Sequence, residues 1–521
     1  MQPNGNAAAY FVDRLTEAGR GDATAFIDPS RSLTYSGLRA ASSRFAIALR
    51  DAGIARERRI ALVLLDTIDF PIAFWGALRA GVVPVPVNTL LTPEQTGYVL
   101  ADSRAEALVI SAPLLRGLRS VLADLPQLRR IIVAAPNGST PELIKGETGF
   151  ADFLAAGQDT MPPAQASPDE VAFWLYSSGS TGQPKGVKHV HSSLLATAET
   201  YGAQVLGIRP DDLVFSAAKL FFAYGLGNAM TFPMSVGAAA VLLPDRPTPE
   251  VVLATMRTAQ PTIFGGVPTL FASLLAHPLI GPGAGSDRLR RCISAGEALP
   301  EAVGQRWREI VGTDILDGLG STEMLHIFLS NRPDDVHYGT SGRPVTGYEV
   351  EIVDDAGAPV PDGDSGELLV RGPSAADGYW NQRDKTRRTF QGEWTRTGDT
   401  YVRNADGTYR YCGRADDMMK VGGIWVSPFE VEAALISHAA VLEAAVVGHP
   451  DELGLIKPRA FVVLHPSAVE TPHNALHEQL KAHVQAKVGV WKYPRWIDVV
   501  ESLPKTATGK IQRYKLRLLA K

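Results

Sequence analysis

Short runs of β-branched and aliphatic residues alternate with longer amphipathic stretches along this chain, up to about Tyr348. Arg59 to Leu65 reads as a strand, Pro71 to Ala80 as a helix and Gly81 to Val87 as the next strand. Ala107 to Ile110 and Arg130 to Val133 repeat the theme. Strand, helix and strand in succession predict parallel sheets covered by helices. At 521 residues the chain exceeds what one hydrophobic core holds, so at least two domains are expected.

From Tyr348 the texture changes. Tyr348 to Val353 and Gly366 to Arg371 alternate polar and apolar residues across the turn sequence Asp354-Asp355-Ala356-Gly357. That pattern predicts antiparallel strands, forming a small barrel-like part. A charged, glycine-containing stretch, Ala415 to Gly423, then leads into a compact segment. There Pro428 to Ile436 reads as helix, Leu442 to Val447 and Ala460 to Leu464 as strands. Leu476, Leu480, Val484 and Val488 recur at helical spacing. The expected fold class is therefore α/β. Residues 1–415 form a large N-terminal domain of parallel-type sheets plus a small β-barrel-like part, and residues 416–521 a small C-terminal α+β domain.

The formal net charge of -4 implies no basic face, so nucleic acid is not an expected partner. An anionic ligand must then be met by local donors. Cys292 and Cys412 are too few to staple the chain, which suits a reducing compartment, and each reads as a small buried hydrophobe. Residues Met1 to Arg20 carry no secretory pattern, and the C-terminal tripeptide carries no address. The most hydrophobic stretch, Ile60 to Val87, is broken by Asp66, Asp69, Arg79 and prolines, so no membrane span is expected there. The expected location is cytoplasmic. Monomer and homodimer both remain open.

Residues Tyr176 to Gly186 read YSSGSTGQPKG and follow a strand, Val171 to Leu175. Gly179, Gly182 and Gly186 allow close backbone approach. Ser177, Ser178, Ser180 and Thr181 supply hydroxyls, and Lys185 supplies a cation, a set able to cradle a polyphosphate. The segment lacks the Gly-Lys-Ser/Thr ending of a Walker A loop. Composition alone leaves open a flexible surface loop. The order S-G-S-T-G-x-P-K-G is what narrows the choice.

That loop resembles the phosphate signature of the adenylate-forming superfamily, which includes acyl-CoA synthetases, peptide-synthetase adenylation domains and beetle luciferases. Four further segments resemble its motifs in the same order. Asp317 to Glu323 (DGLGSTE) is similar to the second nucleotide motif. Trp394 to Asp399 (WTRTGD) is similar to the ribose motif. Gly413 to Lys420 is similar to the hinge motif, and Pro504 to Lys510 to the C-terminal lysine motif. The resemblance covers nearly the whole chain.

The resemblance implies ATP, Mg²⁺ and coenzyme A as co-substrates and cofactor, and gives each motif a role. Lys510 would bridge the acid carboxylate and the α-phosphate. Read from residues alone, it could be a solvated lysine among Lys505, Arg513, Lys515 and Arg517. Glu323 would hold Mg²⁺ with Thr181 or Thr322. Asp399, with Arg414 nearby, would meet the ribose. Asp317 and Gly318 belong to the same nucleotide site, and Ala295, Gly296 and Glu297 would flank the purine. Asp416 would be the hinge on which the small domain rotates. One orientation would present Lys510 to ATP, and the other Lys420 with Gly422 and Gly423 to the thioester site. Acetylation of Lys510 by a protein acetyltransferase would remove its charge and block adenylation.

Lys219 to Gly227 (KLFFAYGLG) matches the family segment that lines the acyl pocket. Ala223 stands where amino-acid-activating members carry an aspartate, which argues against an amino acid. Gly320 stands where acetate-activating members carry tryptophan, which leaves room for a larger acid. Tyr224 occupies the position of an aromatic gate. Ser216 to Asn228 and Gly320 to Asn331 resemble benzoate-CoA ligases. The expected substrate is thus a small aromatic carboxylic acid, lined by Ala223, Tyr224, Gly225, Gly320, His326 and Ile327. A satisfied core histidine is the bland alternative for His326.

His473 and His477 lack a third ligand and do not complete a zinc site. His189 and His191 read as surface residues, and Trp491 to Pro494 as packing in the small domain. The main alternative function is an adenylation enzyme that loads a separate carrier-protein thiol. Nothing signals a luciferin. A serine hydrolase would want G-x-S-x-G at an elbow, which neither Ser177 to Gly182 nor Cys292 to Gly296 supplies. A non-catalytic nucleotide binder should have lost Lys510 or Glu323, and both are present.

Overall fold

A computed structural model describes residues 4–135, 141–177, 183–414, 417–421, 424–452, 455–468, 473–489, 492–505 and 511–519, with backbone alone at 420, 424, 425, 467, 473 and 474. The expected parallel architecture is present twice. One five-stranded sheet runs in the order Val83–Pro86, Arg59–Val63, Ala107–Ser111, Arg130–Ala134, Glu147–Gly149, with every pair parallel. A nine-stranded sheet has a parallel centre and antiparallel edges. Its central strands are Leu213–Ser216, Ile263–Gly266, Arg291–Ser294 and Ile315–Gly320.

The helix Asp69–Arg79 is apolar on all sides, and every one of its residues is buried. It starts two residues before the expected Pro71, and Asp69 in its first turn complements the helix dipole. Arg79 is fully buried and donates to Asp13 at 2.5 Å and to the Met161 carbonyl at 2.6 Å. The charge that interrupts the hydrophobic stretch is thus a paired core residue, costly to orphan. Among the described residues no helix is long and apolar enough to cross a membrane.

The segment after Tyr348 forms a five-stranded antiparallel sheet. Glu349–Val353, Ser365–Arg371, Trp394–Arg403 and Phe390–Gln391 lie in order, with Tyr409–Arg414 paired to Trp394–Arg403. The strand Val171–Ser177 is antiparallel to Lys185–Val190, which pairs in turn with the short strand Gly378–Tyr379.

The C-terminal segment has a core of its own. Val441–Pro450, Ile456–Leu464 and Trp496–Val499 make a sheet covered by the helices Pro428–Ile436 and His473–Val488. Leu476, Leu480 and Val484 face Val446, Ala460 and Val462 in one apolar cluster, as their fourfold spacing predicts. Both cysteines are free and buried.

His189 and His191 are corrected by the structure. They are 0% and 4% exposed, not surface residues. Val187 and His189 share the inward face of an alternating strand, and the His189 ring stacks on Phe173 at 5.3 Å.

Candidate active site

The C-terminal ends of three parallel strands meet in register: Gly266 lies beside Ser294, and Ser294 beside Asp317. Ligands gather outside the carboxyl ends of strands in such sheets. Ala295, Gly296 and Glu297 follow the middle strand directly, while Asp317, Gly318 and Gly320 sit on the strand beside it. Gly296 has φ +98°, a left-handed conformation that turns the chain sharply and favours glycine. Asp317 is buried and accepts from the Leu299 amide at 3.3 Å; burial pushes its carboxyl up to about 8.

Ser177 and Lys185 form the last pair of their antiparallel ladder, so the glycine-rich segment starts and returns at one place. Lys185 Nζ donates to Glu323 Oε1 at 3.0 Å and to the Tyr379 hydroxyl at 2.7 Å. Tyr379 donates to the same Glu323 oxygen at 2.8 Å. Burial alone would raise the Glu323 carboxyl, but the Lys185 ammonium and the hydrogen bonds from Lys185 and Tyr379 hold it below the usual range. Glu323 is therefore an ionised, hard oxygen donor poised beside a cation, which fits a Mg²⁺ ligand that shares phosphate oxygens. Ser177 Oγ is buried and has no partner among the described residues.

Tyr379 was not foreseen. It lies 56 residues from Glu323 and 194 from Lys185, in a two-residue strand. Only pairing of that strand with Lys185–Val190 brings it in. The turn carrying Thr322 and Glu323 is clamped from several sides. His189 Nε2 lies 2.8 Å from the Thr322 carbonyl, which can only accept, so Nε2 carries the proton. The Ala376 amide donates to the Glu323 carbonyl at 2.8 Å, and Ser374 Oγ to the Met324 carbonyl at 2.7 Å.

The expected acyl-pocket residues converge. Ala223, Tyr224 and Gly225 open a short helix, Ala223–Leu226. The Tyr224 hydroxyl is tethered to the strand ends through the carbonyls of Ile293 at 2.9 Å and Gly266 at 3.1 Å. His326 is 3% exposed among Phe232 at 4.6 Å, Tyr201 at 5.0 Å and Tyr224 at 5.7 Å between ring centroids. Burial pushes its pKa down to about 3, so the ring is neutral. Two glycines make room for it. A Cβ on Gly227 would lie 2.5 Å from the His326 ring, and one on Gly320 would lie 2.7 Å from the His326 carbonyl oxygen. Ile327 is buried against Gly318.

Asp399 and Arg414 are partners across an antiparallel pair. Arg414 Nη1 donates to Asp399 Oδ1 at 3.1 Å and to the Thr397 carbonyl at 2.9 Å. Ser178, Gly179, Ser180, Thr181, Gly182, Asp416, Gly422, Gly423 and Lys510 lie outside the described residues, as does the Lys420 side chain. The amide of Ile511, next to Lys510, donates to Glu297 Oε1 at 3.0 Å.

Known proteins share this sequence pattern and fold. Residues 14–380 match the sequence model of the family described as AMP-binding enzyme, and residues 430–510 that of the AMP-binding enzyme C-terminal domain. The chain is 56% identical over 512 residues to the 4-hydroxybenzoate–CoA/benzoate–CoA ligase of Rhodopseudomonas palustris, covering 98% of this chain and 94% of that one. It is also similar to the crystal structure of a benzoate CoA ligase from Burkholderia xenovorans. There the TM-score is 0.91 at 50% identity, with 98% of this chain and 99% of that chain covered. An anthranilate CoA ligase, AuaEII, solved in complex with anthranoyl-AMP, superposes with TM-score 0.93 at 42% identity, covering 100% and 98% of the two chains. The chain belongs to the AMP-binding enzyme family.

Proposed function

We propose that this chain joins benzoate, or a closely related small aromatic acid, to coenzyme A through an acyl-adenylate, releasing AMP and pyrophosphate. It is an AMP-forming acid–thiol ligase. The observation that carries the aromatic preference is the neutral His326 ring, caged by Tyr201, Tyr224 and Phe232 beside Gly320. Such a wall is aromatic, uncharged and free of a counter-charge for a substrate amine.

In the first half-reaction a carboxylate oxygen attacks the α-phosphorus of ATP, and the bond to the β-phosphate oxygen breaks. Both reactants are anions, so neutralising charge is the main task. Lys510 bridges carboxylate and α-phosphate. Ser177 to Gly182 and Lys185 cradle the leaving phosphates. Lys185 exchanges its bond to Glu323 for one to phosphate when ATP enters. Glu323, with Thr181 or Thr322, would hold Mg²⁺, which when bound would add positive charge at the phosphates. Asp399 and Arg414 receive the ribose, while Ala295, Gly296, Asp317 and Gly318 frame the nucleotide.

In the second half-reaction the thiol sulfur attacks the acyl carbon, AMP leaves and the thiol proton passes to solvent. For this step residues 416–521 turn about Asp416 relative to residues 1–415, bringing Lys420, Gly422 and Gly423 to the site. The enzyme works in the cytoplasm, as monomer or homodimer, and acetylation at Lys510 switches it off.

The test is pyrophosphate release with benzoate, hydroxybenzoates, 2-aminobenzoate, cyclohexanecarboxylate, acetate and hexanoate, with and without coenzyme A. CoA-dependent turnover should be strongest with the benzoates. Turnover confined to the aliphatic acids would overturn the aromatic assignment.

A further inference from the structure

The residue that directly follows Lys510 is held by an interaction that the motif reading does not assign. Ile511 donates its backbone N–H to Glu297 Oε1 at 3.0 Å, across 214 residues of sequence. Glu297 stands just past the end of the strand Arg291–Ser294, after the turn made by Gly296 at φ +98°. It projects from the large sheet, whereas Ile511 belongs to the C-terminal unit.

The chain on either side of Lys510 is anchored to that C-terminal unit. Lys505 and Ile511 form an antiparallel bridge, and the Gln512 amide binds the Pro504 carbonyl at 2.8 Å. Lys505 Nζ pairs with Glu443 at 2.7 Å, and Arg513 with the buried Glu432 at 2.8 Å. Leu503 and Leu516 pack with Ala445, Val447 and Phe461. Residues 503–505 and 511–516 are therefore held to one unit, and the Ile511 amide makes a contact with the other. A carboxylate that accepts an amide hydrogen bond is stronger than a neutral acceptor, and it fixes position at the scale chemistry requires.

We propose that Glu297 is a positioning residue for adenylation: its carboxylate docks the Ile511 amide and so sets Lys510 against the reacting phosphate. The proposal rests on the reading of Lys510 as the residue that bridges carboxylate and phosphate. Rotation of the C-terminal unit for thioester formation breaks the contact, so Glu297 acts on one half-reaction only.

The experiment measures the half-reactions separately in Glu297→Ala, Glu297→Gln and Lys510→Ala. Adenylation is followed by benzoate-dependent pyrophosphate release in a single turnover. Thioester formation is started from synthetic benzoyl-adenylate and coenzyme A, and ATP binding is read by calorimetry. Glu297→Ala should slow adenylation roughly tenfold at saturating ATP, the scale of one charge-assisted hydrogen bond. ATP affinity and the thioester step should stay within about twofold, and that step also reports that the variant is folded. Glu297→Gln keeps an acceptor oxygen and should recover part of the rate. Normal adenylation by Glu297→Ala while Lys510→Ala has lost it would overturn the docking role and leave the Lys510 reading intact. Weakened ATP binding with an unchanged saturated rate would make Glu297 a nucleotide ligand and also overturn it. Normal adenylation by Lys510→Ala would remove the reading on which the proposal stands.

Discussion

His326 shows how a single buried side chain can tie stability to pH. Its pKa of about 3 lies below the ordinary histidine value, because burial disfavours the imidazolium. A group whose folded pKa is depressed contributes stability that is present above pH 6.5 and is lost as pH falls toward the folded value. The unfolded chain then takes up a proton that the folded chain refuses. His326→Phe removes this linkage. The melting temperature of that variant relative to wild type should rise as pH is lowered from 7.5 to 5, and a difference constant with pH would contradict the burial argument. That His326 lies close to Tyr224 and Gly320 was legible in the sequence, since the motifs place all three together. His191 was misread because it opens the helix His191–Thr197 and accepts from the distant Ala7 amide, and His189 because a strand of alternating residues does not declare which face is inward. Only packing of Val187 and His189 on one side of the hairpin, with Phe173 opposite, settles it.

Three short pieces of backbone make the charged centre: the end of one hairpin strand, the turn at Glu323 and the two-residue strand Gly378–Tyr379. The Tyr379 hydroxyl accepts from Lys185 and donates to Glu323, so it fixes the distance between cation and anion. Tyr379→Phe leaves the ion pair but removes that spacer. A net loss of about 1 kcal/mol in unfolding stability is expected, with a raised KM for MgATP. Denaturant melts and steady-state kinetics check both, and a variant equal to wild type in each would mean that the hydroxyl is idle. Helices and long strands were visible from periodicity: the helix Pro428–Ile436 falls where its pattern placed it, and the parallel strands differ from expectation only at their ends. The strand holding Tyr379 was invisible, since two residues carry no period and its pairing is set by chain segments far away.

On the scale of the whole molecule, one apolar cluster joins the two parallel sheets and the antiparallel sheet, while the C-terminal segment packs around a cluster of its own. The sequence texture changes at Tyr348, where the antiparallel strands begin, and the helix and strands read beyond Ala415 to Gly423 are those of the C-terminal cluster. It did not reveal the Ile511–Glu297 contact, which depends on how the pieces meet. The central claim is that an acyl-adenylate forms before coenzyme A takes part, with Lys510 stabilising the transition state. The direct measurement is benzoate-dependent exchange of labelled pyrophosphate into ATP, without coenzyme A, for wild type and Lys510→Ala. Rapid exchange by wild type and a fall of roughly 10²-fold or more in the variant are predicted, the scale for losing a charge-stabilising group. Exchange that needs coenzyme A, or that survives intact in Lys510→Ala, would contradict the account.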